Sequence, residues 1–200
     1  YWGPGGQRPG LAYPALRGAI QLRNAAAALC ALDCLREHLP IAMQDVRRGL
    51  AEVELPARFQ VLPGRPQIIL DVAHNVEAAC VLARNLAASG FAPETFAVCG
   101  MLRDKDAAGV IGAVEKHITR WHFCSLSGPR AATAEELAAH APQQVRAAAS
   151  LHASPARALD AALGAAGEND KIVVFGSFLT VAEAMQWLNK NKNRNRTSMR

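Results

Sequence analysis

The sequence predicts an α/β protein, a mostly parallel sheet covered by helices on both faces. Two observations carry this. From residue 67 onward, short apolar runs alternate with longer amphipathic ones, the pattern left by strand–helix–strand crossovers. The helical stretches also begin and end on residues that cap a helix.

The opening YWGPGGQRPG is dense in Gly and Pro and reads as a loop or the frayed end of a hairpin. Residues 17–39 then place Leu22, Ala25, Ala26, Leu29 and Leu32 at helical spacing and stop before Pro40. A second helix is expected over 43–53, with a domain boundary between Leu55 and Pro66. Beyond it, strands are expected at 67–72, 95–99, 120–126 and 171–175, with a weaker one at 149–153. Helices are expected at 76–89, 106–118, 134–148 (interrupted at Pro142), 155–166 and 180–189. Thr133 with Glu136, and Thr180 with Glu183, have capping-box spacing. Ser154 before Pro155 is an N-cap followed by a proline whose missing N–H costs nothing there. Gly90 and Gly167 are placed for left-handed C-terminal caps.

Half of the 200 residues are hydrophobic and a fifth are charged, which suits a globular chain. No apolar run approaches the ~20 residues that span a bilayer. The net charge of +5 invites a nucleic-acid reading, but Lys190, Lys192, Arg194, Arg196 and Arg200 account for all of it. The body is neutral, so neither a nucleic-acid nor a membrane partner is expected, and residues 190–200 are expected to be a disordered basic tail. Five scattered cysteines, mostly in apolar runs, read as reduced core cysteines of a cytoplasmic protein without a metal site of their own. The chain starts at Tyr1 and shows no signal peptide, so it is expected to be the C-terminal part of something longer.

In such a sheet, ligands bind beyond the carboxyl ends of the strands, near helix N-termini. The residues following the strands are Asp71-Val-Ala-His74-Asn75, Gly100-Met-Leu-Arg-Asp104-Lys105-Asp106, Ser127-Gly-Pro-Arg130 and Gly176-Ser177. Asp71 and His74 are the sharpest signal. They could line a polar cleft, or they could hydrogen-bond a loop whose Asn75 caps the next helix. Asp104 or Asp106 could equally be an N-cap in a solvated turn. Gly176 and Ser177 could offer N–H groups to an anion. Gln21 and Asn24 lie one helical turn apart, and Arg58 sits at the domain boundary, where clefts are common. No G-x-G-x-x-G or G-x-x-x-x-G-K-[ST] loop occurs, which disfavours a dinucleotide-dependent oxidoreductase.

Five stretches in order, LRGAIQLRNAAAAL, LPARFQVL, IILDVAHN, GMLRDKD and VVFGSFLTVAEAM, span most of residues 14–186. Together they resemble the C-terminal part of the folylpolyglutamate synthase/dihydrofolate synthase family, within the Mur ligase superfamily. The resemblance implies the end of a central ATPase domain over 1–56 and a Rossmann-like Mur ligase C-terminal α/β domain over 57–189. It implies contacts to ATP from Asn24, Arg58 and Asp71, and a catalytic place for His74 and Asp71. His74 would lie near the glutamate and acyl-phosphate chemistry, with Asp104, Lys105, Asp106 and Ser177 as substrate-binding candidates. Ile20, and Pro56-Ala57 where a glycine usually precedes the arginine, depart from the family's pattern.

The implied reaction is ATP-dependent amide formation. A dihydropteroate or folate carboxylate takes the γ-phosphoryl group, and L-glutamate's amine attacks the acyl phosphate. ATP and Mg²⁺ are the implied cofactors, and a monomer is expected. The P-loop, the metal ligands and a modified lysine would lie outside this sequence, so the chain alone is expected to be inactive. The alternatives are another Mur-type amino-acid ligase acting on cell-wall precursors, or a non-catalytic α/β nucleotide-binding module.

Overall fold

The computed structural model describes the backbone of residues 1–197 and side chains through Asn191. The chain divides into two compact units, Tyr1–Arg58 and Phe59–Arg200.

In the first unit, a small hairpin of β1 (Trp2–Gly3) and β2 (Gly6–Gln7) precedes α1 (Ile20–Cys34) and α2 (Met43–Glu52). The buried Asp33 of α1 pairs with Arg8 next to β2, which holds the carboxyl below its usual range. Helix α1 is shorter than the 17–39 stretch, because residues 35–39 form turns. Of its expected apolar face only Leu29 is buried, and Leu22 stays 44% exposed.

The second unit is the expected α/β layer structure. Its six strands are β3 (Gln60–Leu62), β4 (Gln67–Leu70), β5 (Thr95–Cys99), β6 (Arg120–Cys124), β7 (Ser150–His152) and β8 (Lys171–Phe175). Their order is β3-β4-β8-β5-β6-β7, and every pairing is parallel except β3 with β4. Helices α3 (Val76–Ala88), α4 (Ala107–Val114), α5 (Ala134–Ala139) and α6 (Gln143–Ala148) connect strands that advance across the sheet. Helix α7 (Pro155–Ala165) returns the chain to β8, and α8 (Phe178–Thr197) packs beside α7. Right-handed crossovers therefore put α3–α6 on one face and α7 and α8 on the other.

Burial on both faces explains the unbroken apolar strands. Lys171–Phe175 is buried throughout, and Ile69, Ala97, Cys99, Phe123 and Val173 share one core with Leu82, Ile111 and Leu137 of α3, α4 and α5.

Several boundaries differ from expectation for identifiable reasons. The Thr133–Glu136 capping box forms, and Ser154 caps α7. The Thr180–Glu183 box does not. The Thr180 hydroxyl donates to Gly100 O at 2.6 Å, Glu183 accepts the Ala156 N–H, and Ser177 accepts the Leu179 N–H, so α8 starts two residues early. Gly90 is left-handed at φ 82°, but α7 leaves through extended Ala166, and the Gly167 N–H goes to Asp170. Of the cysteines, Cys99 and Cys124 are core residues, whereas Cys34 and Cys80 are exposed; all five are free thiols. Helix α8 continues to Thr197; most of the expected disordered tail, 192–200, lies outside the residues described with side chains. Among the described residues no helix is long and apolar enough to cross a membrane.

Buried Lys171 closes the end of α3. Its Nζ donates to Ser89 O, Ser89 Oγ and Gly90 O at 3.1, 2.8 and 2.6 Å, satisfying carbonyls that α3 leaves open. Burial lowers its pKa.

On the other face, His122 Nδ1 lies 2.9 Å from His152 Nε2 with the rings nearly parallel at 21°, so one N–H···N bond ties β6 to β7. Burial, the His152 charge and Arg120 hold His122 down at about 4, and burial with Arg157 lowers His152. Both folded values lie below the ordinary ~6.5, so the unfolded chain binds more protons at mildly acid pH. This stability is present above about pH 6.5 and is lost as pH falls toward 4, by about 2 kcal/mol. Urea unfolding of the wild type and a double His→Gln variant, compared between pH 7.5 and 4.5, should show this loss only in the wild type.

Candidate functional site

The carboxyl ends of β4, β5, β6 and β8 lie side by side in the sheet, and the loops that follow them enclose a pocket of about 170 Å³. His74, Lys105, Arg130, Gly176, Ser177 and Phe178 line it. Each loop is held by its own bonds.

After β4, Asp71 Oδ1 accepts the Ala73 N–H at 2.8 Å, and Oδ2 accepts the Phe59 N–H at 2.9 Å. Asp71 thus shapes the loop that presents His74 and also holds the entry to β3. His74 Nδ1 lies 2.8 Å from Val72 O. A carbonyl only accepts, so Nδ1 carries the hydrogen, and in the neutral ring Nε2 holds the lone pair. Asn75 caps α3, accepting the Ala78 N–H at 2.8 Å.

After β5 and β6, the two loops are laced by a Leu102–Ala131 bridge, with Arg103 N–H donating to Arg130 O at 2.8 Å and Ala132 N–H to Met101 O at 3.1 Å. This lacing sets Lys105 and Arg130 beside one pocket. Lys105 Nζ lies 3.0 Å from Asp104 Oδ2. The Lys105 hydrogen bond is the main cause that holds the Asp104 carboxyl below its usual range, with the Arg130 charge a smaller one.

After β8, Gly176 adopts φ 106°, and a Cβ there would stand 2.5 Å from Gly100 O. Only glycine allows this approach, which turns the chain so that the N-terminus of α8 enters the pocket wall. Ser177 lines the pocket and is also the hydroxyl that caps α8.

Of the sequence candidates, the structure brings His74, Lys105, Gly176 and Ser177 together and adds Arg130 and Phe178. Asp104 and Asp106 do not line the pocket: Asp104 pairs with Lys105, and Asp106 caps α4 by accepting the Gly109 N–H at 2.9 Å. Asp71 supports the wall and does not line it. In the sequence, Arg130 carries no signal of a role beyond the Gly-Pro that precedes it in its strand-end loop.

Asn24 and Arg58 belong to the Tyr1–Arg58 unit. Asn24 donates to Gln21 Oε1 at 3.0 Å, and both line an apolar groove of about 440 Å³ between α1 and α2. Arg58 is exposed between two left-handed residues, Ala57 (φ 62°) and Phe59 (φ 46°). Left-handed backbone costs a residue with a Cβ roughly 1 kcal/mol more than glycine. Ala57→Gly should therefore raise stability by about 1 kcal/mol in urea unfolding.

Among the described residues, no three His, Cys, Asp or Glu side chains form a group that could hold a metal. No ligand set for a divalent ion is assigned within them.

The pocket's chemistry is that of an anion site: two cationic side chains and a helix N-terminus meet beside an imidazole. Comparison with known proteins gives this a context. Dihydrofolate synthase/folylpolyglutamate synthase of Escherichia coli is 38% identical over 170 residues, which is 85% of this chain and 39% of that protein. The structure of E. coli FolC in complex with DHPP and ADP matches with a TM-score of 0.83 at 36% identity, covering 94% of this chain and 42% of that one. A bifunctional folylpolyglutamate synthase/dihydrofolate synthase with Mn, AMPPNP and L-glutamate bound matches at 0.76 and 35% identity, over 92% and 42% of the two chains. The chain therefore spans about two fifths of the length of these relatives. Residues 57–178 match the Mur ligase, glutamate ligase domain, and the chain belongs to that family.

Proposed function

We propose that this chain serves an ATP-dependent ligase that joins L-glutamate to the carboxyl group of dihydropteroate or a folate through an acyl phosphate. The observation that carries the reading is the pocket at the carboxyl edge, where Lys105, Arg130 and the α8 N-terminus converge beside His74. Glutamate brings two carboxylates and an amine. Lys105 and Arg130 hold the carboxylates, Arg130 by the paired N–H groups of its planar guanidinium. The Nε2 lone pair of His74 faces the chemistry as proton acceptor for the attacking amine. Ser177 keeps the α8 N-terminus in place and offers its hydroxyl to the same ligand.

Asn24, Arg58 and Asp71 are proposed to contact ATP, in keeping with the nucleotide complexes of the relatives. Asp71 brings a carboxylate already oriented by two backbone N–H bonds. The chemistry of the bound nucleotide is in-line phosphoryl transfer, with a divalent ion offsetting phosphate charge. We assign the P-loop and the metal ligands to ligase segments other than residues 57–178, and propose a cytoplasmic setting, a monomer, and no nucleic-acid or membrane partner.

The reading is tested by grafting this chain in place of the matching part of the E. coli relative. The graft should release ADP only when L-glutamate and dihydropteroate or tetrahydrofolate are both present. ADP release in a folded graft that ignores glutamate would remove the proposal, and dependence on another amino acid would favour a cell-wall-type ligase.

A further inference from the structure

The pocket at the carboxyl edge carries its own counter-ion. Several acids stand on this edge. Asp106 is bonded to the Gly109 N–H, and Glu136 is engaged by the Thr133 N–H and by Arg103 at 3.2 Å. Asp104 differs, because its partner is a cation of the pocket wall, Lys105, at 3.0 Å. Its carboxyl also feels Arg130. Side-chain exposures of 45% for Asp104 and 31% for Lys105 make this an ion pair that a ligand can exchange at little cost.

We infer that Asp104 sets the charge selectivity of the pocket. Lys105 and Arg130 with Asp104 leave one net positive charge. That matches an amino dicarboxylate, whose two carboxylates and one ammonium leave one negative charge at neutral pH. Without Asp104 the pocket is doubly positive and matches a dicarboxylate that has no ammonium. Asp104, paired to Lys105 behind the pocket wall, thus disfavours the deaminated analogue through its charge on Lys105 and Arg130. Charges a few ångströms apart near a protein surface are coupled strongly enough to shift such a preference several-fold. The inference rests on the anion-binding reading above and names the feature that favours a ligand with an amine.

The test compares L-glutamate with glutarate, the same skeleton without the ammonium group. Both are titrated into the 200-residue chain and its Asp104→Asn variant by calorimetry at pH 8 and low salt, with Lys105→Gln as a control for the site. Asp104→Asn should tighten glutarate binding about three- to tenfold and glutamate binding less, moving the affinity ratio at least threefold toward glutarate. Lys105→Gln should weaken both. An unchanged ratio, weaker glutarate binding in Asp104→Asn, or no glutarate binding to either protein would overturn the inference. The ligase reading is decided by glutamate-dependent ADP release, so its failure is distinguishable from this one.

Discussion

Replacing Gly176 with alanine is expected to lower the stability of the Phe59–Arg200 unit by about 3 kcal/mol, the largest effect of any single methyl group on the carboxyl edge. Two costs act together. The residue has φ 106°, where a side chain is strained whatever space surrounds it, and the added Cβ would stand 2.5 Å from Gly100 O and 2.9 Å from Met101 Cγ. The backbone cannot simply retreat. Gly176 N–H donates to Ala73 O at 3.0 Å, and Gly100 O is held by the Thr180 hydroxyl at 2.6 Å. The strain therefore spreads to the loops after β4 and β5 together, and those loops carry His74 and Lys105. Urea unfolding should show a lower midpoint with an unchanged m-value. Wild-type stability in Gly176→Ala would mean that the edge is looser than its packing indicates.

The second large effect is on binding. Arg130→Gln and Lys105→Gln should each raise the dissociation constant for L-glutamate by about tenfold to a hundredfold, the usual result of losing one partner of a charge-assisted contact. Neither change should move the unfolding midpoint much, because both side chains stand at the pocket and outside the core cluster. Loss of binding without loss of stability separates a ligand contact from a structural one. Lysine at position 130 should restore only part of the affinity, since an ammonium supplies charge without the paired geometry of a guanidinium.

Most of the sheet was legible because its strands are buried on both faces, so QIIL, TFAVC, RWHFC and KIVVF stand out as apolar runs. Strand β3 was not. It is three residues long, antiparallel at the edge, and entered from a turn whose Phe59 N–H is held by Asp71, a contact across 12 residues. The Thr180–Glu183 spacing misled for a similar reason: Gly100 O claims the hydroxyl from 80 residues away, and spacing along the chain does not reveal such a competitor. At the site, Asp71, His74 and Asn75 were visible as a cluster, and Asn75 caps α3. That Asp71 orders backbone, and that Arg130 joins Lys105, depends on bonds between loops far apart in sequence.

Glutamate is proposed to be held where the loops after β4, β5, β6 and β8 meet. Amide chemical shifts of the 200-residue chain, followed during titration with L-glutamate, test it most directly. Saturable shifts are expected at His74, Lys105, Arg130 and Gly176 to Phe178, and they should disappear in the Lys105→Gln, Arg130→Gln double variant. Shifts centred on the α1–α2 groove, or undiminished in the double variant, would contradict it.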